Sequence, residues 1–358
     1  KTAYEFSLGL VGSERCIRDR GSKDERPGRT GFAHLFEHLM FNVSEHYDDS
    51  YIQPFEQVGA TNLNGTTDQD RTNYFQTVPV SALDMVLWME SDRMGHLLGA
   101  ITQHKLDEQR GVVKNEKRQR ENQPYAVSRQ LIAESTYPRE HPYSWTTSGS
   151  MEDLDAATLD DVKEWFRMYY GAANAVVAVA GDVSPSVVLE KVKRYFGDIP
   201  SGPPLKRHDV WIAERDETRR QVVQDRVAQA RIYKVWNVPP LGTRASIHLR
   251  LFADVLAAGK SSRLHKRLVY DEEIATDISA FVQLRELGSQ FRVVATVKPG
   301  EQLFDVERGI DEEIRTLLTE GLTQVELDRA KASYISNFVR RLERVGGFGG
   351  KSDLLARG

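Results

Sequence analysis

GFAHLFEHLMF, residues 31–41, carries two patterns at once. At about 100° per residue, Phe32, Leu35, Phe36, Leu39 and Met40 gather within roughly 140° of a helix, with His34, Glu37 and His38 on the other side. The apolar side predicts a helix packed on a core. The polar side asks for a different reason. Imidazoles at i and i+4 stand about one turn apart, the spacing at which one helix offers two nitrogen ligands to a tetrahedral metal ion, and Glu37 projects beside them. His-x-x-Glu-His is the inverted order of the more common His-Glu-x-x-His metal motif. With nine histidines in the chain, chance would produce it in about one or two of a hundred sequences of this composition.

Working outward, a metal site that keeps a position open for water needs a third protein ligand. Cys16 is the only cysteine, so a thiolate cage and an internal disulfide framework are both excluded, and the donors must be histidine or carboxylate. The helical stretch KLDEQRGVVKNEKRQRENQPY offers Glu116, 78 residues after His38.

The composition is that of a globular chain: 358 residues, 40% hydrophobic, enough for one large core or two medium ones. Acidic and basic residues nearly balance at 52 and 48, so net charge gives no case for nucleic acid or an anionic membrane as partner. No apolar run approaches the roughly 18 residues of a membrane span. The chain starts without a basic, then apolar, leader pattern and stops inside a helical stretch, GGKSDLLARG, as a processed or shortened chain would.

GDIPSGPPLKRHD, 197–209, is the strongest linker signal and divides the chain into 1–200 and 201–358. Before it, 154–200 reads as helix, buried strand, turn and helix; after it, ASIHLRLFADVLAAG reads as a buried helix and SQFRVVATVKP as a strand. ITQHKLDEQRGVV at 101–113 resembles LTQVELDRAKASY at 322–334, an offset of 221 residues that fits two related halves. The expected class is α+β: two homologous domains, each a mixed β-sheet covered by helices on one face.

From about residue 21 onward the chain resembles the pitrilysin/insulinase family of zinc metallopeptidases, particularly its bacterial branch. The resemblance is carried in order by GSKDERPGRTGFAHLFEHLMFN, GATNLNGTTDQDRTNYFQTVP, ALDMVLWMESDRM, QRGVVKNEKRQ, ANAVVAVAGDV and AAGKSSRL. It implies a zinc endopeptidase acting on peptides or small unfolded polypeptides in a chamber, with His34, His38 and Glu116 as zinc ligands and Glu37 as general base. It further implies that 1–200 is the catalytic domain, that 201–358 is a metal-free chamber wall cut short at its end, and that the protein is periplasmic, the cytoplasm being the alternative. A substrate strand would add to the sheet edge at Asn64, Gly65 and Thr66; read from its residues alone, NLNGTTDQD is equally a polar turn between strands.

This sequence departs from the family pattern in two places. Where many relatives carry a second glutamate seven positions before the third ligand, Gln109 stands, able to hydrogen-bond but not to act as a base, and its neighbour Glu108 is rotated away. The Arg/Tyr pair that contacts substrate in the family aligns with Val269 and Thr276, while Arg267 and Tyr270 have the wrong spacing. The missing pair would then come from a homologous partner subunit or a further C-terminal half. The position equivalent to Glu116 is Asn337, so the second half carries no metal set. A different reading is a scaffold or assembly subunit without catalysis. The other histidines, at 46, 96, 104, 141, 208, 248 and 265, lack metal spacing and read as surface or structural groups.

Overall fold

The computed structural model describes residues 10–18, 20–347 and 349–357, excepting the side chains of 10–18 and of Arg357; the cysteine side chain and residues 1–9 lie outside the described residues. The strands are β1 (Leu10–Arg18), β2 (Thr61–Thr67), β3 (Thr72–Pro79), β4 (Ala175–Ala180), β5 (Arg231–Val238), β6 (Ala275–Gln283) and β7 (Ser289–Val297). The helices are α1 (Phe32–Leu39), α2 (Gln53–Gln57), α3 (Leu83–Gly95), α4 (Gln103–Glu121), α5 (Val127–Thr136), α6 (Met151–Ala156), α7 (Leu159–Tyr169), α8 (Pro185–Phe196), α9 (Arg244–Ala257), α10 (Leu303–Glu320), α11 (Gln324–Glu343) and α12 (Lys351–Arg357). No described helix is long and apolar enough to cross a membrane.

The chain forms two units, the α+β arrangement expected, but each is discontinuous in sequence. One takes its described residues from 1–121, 145–206 and 339–358, the other from 122–144 and 207–338. A single cut near 200 is therefore replaced by one at 206 plus two exchanges. The segment 122–144 joins the second unit because it is hydrogen-bonded there: Asn237 Nδ2 donates to the Thr136 carbonyl at 2.7 Å, and the Leu287 amide donates to Tyr143 Oη at 3.0 Å. The exchange of 339–358 follows from α12, which packs on β1 and β4.

The first unit holds a four-stranded sheet in the order β2-β3-β1-β4, the second a three-stranded sheet in the order β5-β7-β6. Every described pairing is antiparallel, in place of the mixed sheets expected. For two of the five the reason is local: β2–β3 and β6–β7 follow each other through short connections, and such hairpins pair antiparallel, whereas a parallel pair needs a long crossover. β4 also differs from its expectation as a buried strand. It lies at the sheet edge, with Val176 45% exposed.

The first core gathers Phe32, Leu35, Phe36, Leu39 and Met40 with Leu106 and Val113 of α4 and Val162, Trp165 and Phe166 of α7. Burying five large apolar side chains of the 31–41 stretch contributes roughly 1.5–3 kcal/mol each, enough to outweigh the cost of taking its polar side partly out of water. In the second unit α9 and α10 cover the sheet face bearing Phe291, Val293 and Ala295, and the end of α5 reaches Gln290 on the other.

Candidate metal centre

α1 is short, and buried groups hold it at both ends. At its start Gly31 has φ +90°, and a Cβ there would meet the Ser148 carbonyl oxygen at 2.9 Å, so glycine is required by both backbone and space. The Glu25 carboxylate accepts from the Gly31 amide at 3.0 Å and the Ala33 amide at 2.8 Å, supplying acceptors to a helix N-terminus. Burial raises the Glu25 pKa well above the ordinary carboxylate range, although those amides oppose it. Past the other end, Arg93 Nη1 donates to the Met40 carbonyl at 3.4 Å. The Arg93 guanidinium is fully buried, paired with Glu90, and lies 4.3 and 4.4 Å from the Tyr51 and Tyr74 ring centroids. This places hydrogen-bond acceptors at the N-terminal end and a donor at the C-terminal end, the partners that the open amides and carbonyls of a helix need.

On α4, Val113 is fully buried, and Glu116 and Arg120 follow it at i+3 and i+7 along one stripe. That docking brings Glu116 to α1. His34 Nε2 lies 3.5 Å from Glu116 Oε2, and His38 Nε2 lies 3.5 Å from Glu116 Oε1. The imidazoles meet edge to face with centroids 4.9 Å apart. Donor atoms from the three residues all fall within 4.8 Å of one another, the one such histidine and carboxylate cluster among the described residues. Two imidazole nitrogens and a carboxylate oxygen are the donor set of an open zinc site. Burial, with His38 and Arg120 adding to it, pushes His34 down to about 3, which keeps the ring neutral and its lone pair available. His38 is lowered too, by burial first, with Glu116 opposing. The donors therefore fit a zinc ion. One second contact is missing: His34 Nδ1 is buried without a hydrogen-bond partner among the described residues.

Glu37 stands beside this cluster. Its Oε2 accepts from Thr67 Oγ1 at 2.6 Å, and burial pushes its carboxyl up to about 7, with Thr67 opposing and Glu116 adding. A Cβ at Gly65 would meet Glu37 Oε1 at 2.9 Å and the Phe41 ring at 2.7 Å, so β2 can approach α1 this closely only with glycine there. His34, Glu37, His38, Phe41, Asn64, Gly65, Glu116 and Arg120 line a cavity of about 250 Å³.

Asn64 and Gly65 thus reach the cavity, and β2 is an edge strand as substrate addition would require. Thr66 does not line it and bonds Asn73 instead. The residue overlooked on this strand is Thr67: with a side-chain period of two, Gly65 and Thr67 share the face toward Glu37, and a contiguous triplet misses the second. Arg120 was overlooked as well, though its place one turn past Glu116 could have found it. Gln109 is half-buried and lines no part of the cavity.

In the second unit Val269 packs beside the core, and Thr276 Oγ1 bonds the Thr296 carbonyl. Arg267 is held by Glu272, Glu312 and Glu313, and Tyr270 is 75% exposed.

Comparisons with known proteins identify the family. The profile of the insulinase family, peptidase family M16, matches residues 17–148, and that of the peptidase M16 inactive domain matches residues 156–334. The chain is 29% identical over 332 residues to the zinc protease PqqE of Helicobacter pylori, covering 90% of this chain and 73% of that one. It is 23% identical over 326 residues to the uncharacterized zinc protease YmxG of Bacillus subtilis, covering 90% and 77%. Among solved structures, a protease from Helicobacter pylori superposes with a TM-score of 0.82 at 26% identity, covering 94% of this chain and 81% of that one. The first half of the periplasmic protease PqqL from Escherichia coli superposes at 0.74 with 17% identity, covering 97% and 75%, a likeness of fold alone. The chain belongs to the insulinase family of peptidases, family M16.

Proposed function

We propose that this chain is the metal-bearing part of a zinc-dependent endopeptidase for peptides and small unfolded polypeptides, with His34, His38 and Glu116 as ligands and Glu37 as general base. The observation that carries the reading is the convergence of those three donors beside a buried carboxylate and the edge of β2. Zinc, when bound, supplies Lewis acidity to the attacking water and the scissile carbonyl. Glu37 takes the water's proton as the oxygen attacks the carbonyl carbon, and hands it to the amine nitrogen as the C–N bond breaks. Thr67 Oγ1 occupies Oε2, which leaves Oε1, the atom beside Gly65, for that proton. The outer backbone edge of β2 receives the substrate as an added strand, recognising extended chain with little regard to side chains. Val269 and Thr276 stand where the resemblance would put Arg and Tyr, so a homologous subunit or further half completes the site. The PqqL neighbour is named a periplasmic protease, and we extend the periplasm to this chain.

The rival reading, a non-catalytic scaffold subunit, draws on the inactive-domain match over 156–334. It gives no reason for the first unit to keep the cluster. The experiment is cleavage of an internally quenched peptide by the zinc-loaded chain, with Glu37→Gln as control. We expect turnover to fall by about 10²–10⁴ in the variant while zinc stays bound. Stoichiometric zinc without cleavage by either protein assigns the chain to half of an enzyme; no zinc binding at all overturns the reading in favour of the scaffold.

A further inference from the structure

Arg120 has no part in the chemistry above, yet it lines the same cavity. Its Nη2 donates to Glu116 Oε2 at 2.8 Å and its Nη1 to Ser148 Oγ at 3.2 Å. A guanidinium carries five N–H donors. The remaining ones, on Nε and on each Nη, have no partner among the described residues, and the side chain is 44% exposed. Glu116 Oε2 meets His34 Nε2 on one hand and Arg120 on the other, so its carboxylate stands between the imidazoles and the guanidinium. Arg120 is therefore beside the metal position, where it would face a residue flanking the scissile bond.

Charge points the same way. Among the described residues, the only acidic side chains lining the cavity are Glu37 and Glu116. With a dication held by neutral imidazoles, those two carboxylates are balanced, and the Arg120 charge is left over. A planar guanidinium with free donors in a partly enclosed cavity is suited to a carboxylate, which it can meet with paired hydrogen bonds.

We infer that Arg120 is a specificity-determining residue that receives a substrate carboxylate next to the scissile bond, so that the site selects acidic peptides. This rests on the endopeptidase reading. The carboxylate can come from an Asp or Glu side chain or from the C-terminus of a short peptide.

The test measures binding to the zinc-loaded Glu37→Gln chain, which holds substrate without consuming it. Fluorescent peptides of one length carry Glu or Gln at each position flanking the scissile bond, with the C-terminus amidated; a third set carries Gln and a free C-terminus. Glu at one position is expected to tighten binding about tenfold or more, as a charge-assisted hydrogen bond does. Adding Arg120→Gln should bring the Glu/Gln ratio close to one at unchanged zinc content. Arg120→Lys, which keeps the charge and loses the fork, should retain part of the ratio, and it decides the matter if the Gln variant loses zinc. A preference confined to the free C-terminus assigns the carboxylate to the chain end. Equal binding of all three sets, absence of binding included, overturns the inference, as does a ratio that survives undiminished in the zinc-loaded Arg120 variants. Cleavage by the unmodified chain is scored separately: a preference without turnover upholds the inference and assigns the chain to half of an enzyme, whereas a chain that binds no zinc counts against the endopeptidase reading.

Discussion

The two units share one plan and differ in what it carries. In each, a strand, a helix, a hairpin and two further helices follow in order, with the short α2 as an addition before the first hairpin, and the strand orders β2-β3-β1 and β6-β7-β5 correspond. α4 begins at Gln103 and α11 at Gln324, so the 221-residue offset of the sequence repeat holds for these helices. Yet α1 brings His34, Glu37 and His38 to α4, whereas α9 has a single histidine, His248, and α11 has Asn337 where α4 has Glu116. Antiparallel pairing and apolar packing maintain the scaffold without reference to chemistry. The proposed metal set rests on His34, His38 and Glu116 with Glu37 beside them, and the second unit keeps the same plan without counterparts to them.

The sharpest way to break the contrast is to make the first unit resemble the second. Glu116→Asn shortens a ligand and removes its charge, and zinc affinity measured against a competing chelator should fall by more than the roughly 10–100-fold typical of losing an outer-shell partner. Next in size, Gly65→Ala drives a methyl into Glu37 and Phe41. Overpacking of this kind costs about 1–3 kcal/mol, which denaturant titration would read, and cleavage should fall with it because Glu37 must move.

A smaller effect separates the units by pH. In the metal-free protein, Glu37 at about 7 binds protons that the unfolded chain releases near the ordinary value of 4.5, so its contribution to stability falls as pH rises between them. His34 at about 3 does the reverse: the unfolded chain takes up a proton near 6.5, and stability is lost as pH falls from there. From about 4.5 to 6.5 the two oppose each other. Glu37→Gln should leave the His34 slope alone, so that urea midpoints of the chelated variant rise with pH across that window; a flat profile would contradict the assignment. Smallest is the converse swap. Asn337→Glu gives the second unit a carboxylate but no imidazole pair, and the zinc stoichiometry is expected to stay at one by metal analysis.

Much of the centre was legible from spacing. His34, Glu37 and His38 fall on one side of a helix whose other side must be buried, and the 3.6-residue period places them without any knowledge of neighbours. The Gln103 and Gln324 helices were legible for the same reason, as repeats of one pattern. The resemblance points to the contiguous stretch Asn64, Gly65 and Thr66, whereas a strand turns alternate residues to one face, so Thr67 and not Thr66 joins Gly65 beside Glu37. The mixed sheets were expected because mixed element order says little about strand direction.

What the sequence by itself determined was local: which residues share a helix face, where a linker runs, and which donors a metal site would have to use given a single cysteine. Those follow from backbone periodicity and side-chain chemistry, which act over a few residues. Only the tertiary structure decided that Glu116, 78 residues from His38, meets both imidazoles. The same holds for Thr67 bonding Glu37, for Glu25 and Arg93 holding the ends of α1, and for the exchange of 122–144 between units. Each depends on how separate elements dock, and docking is set by the summed burial of many side chains, a quantity that no short stretch contains.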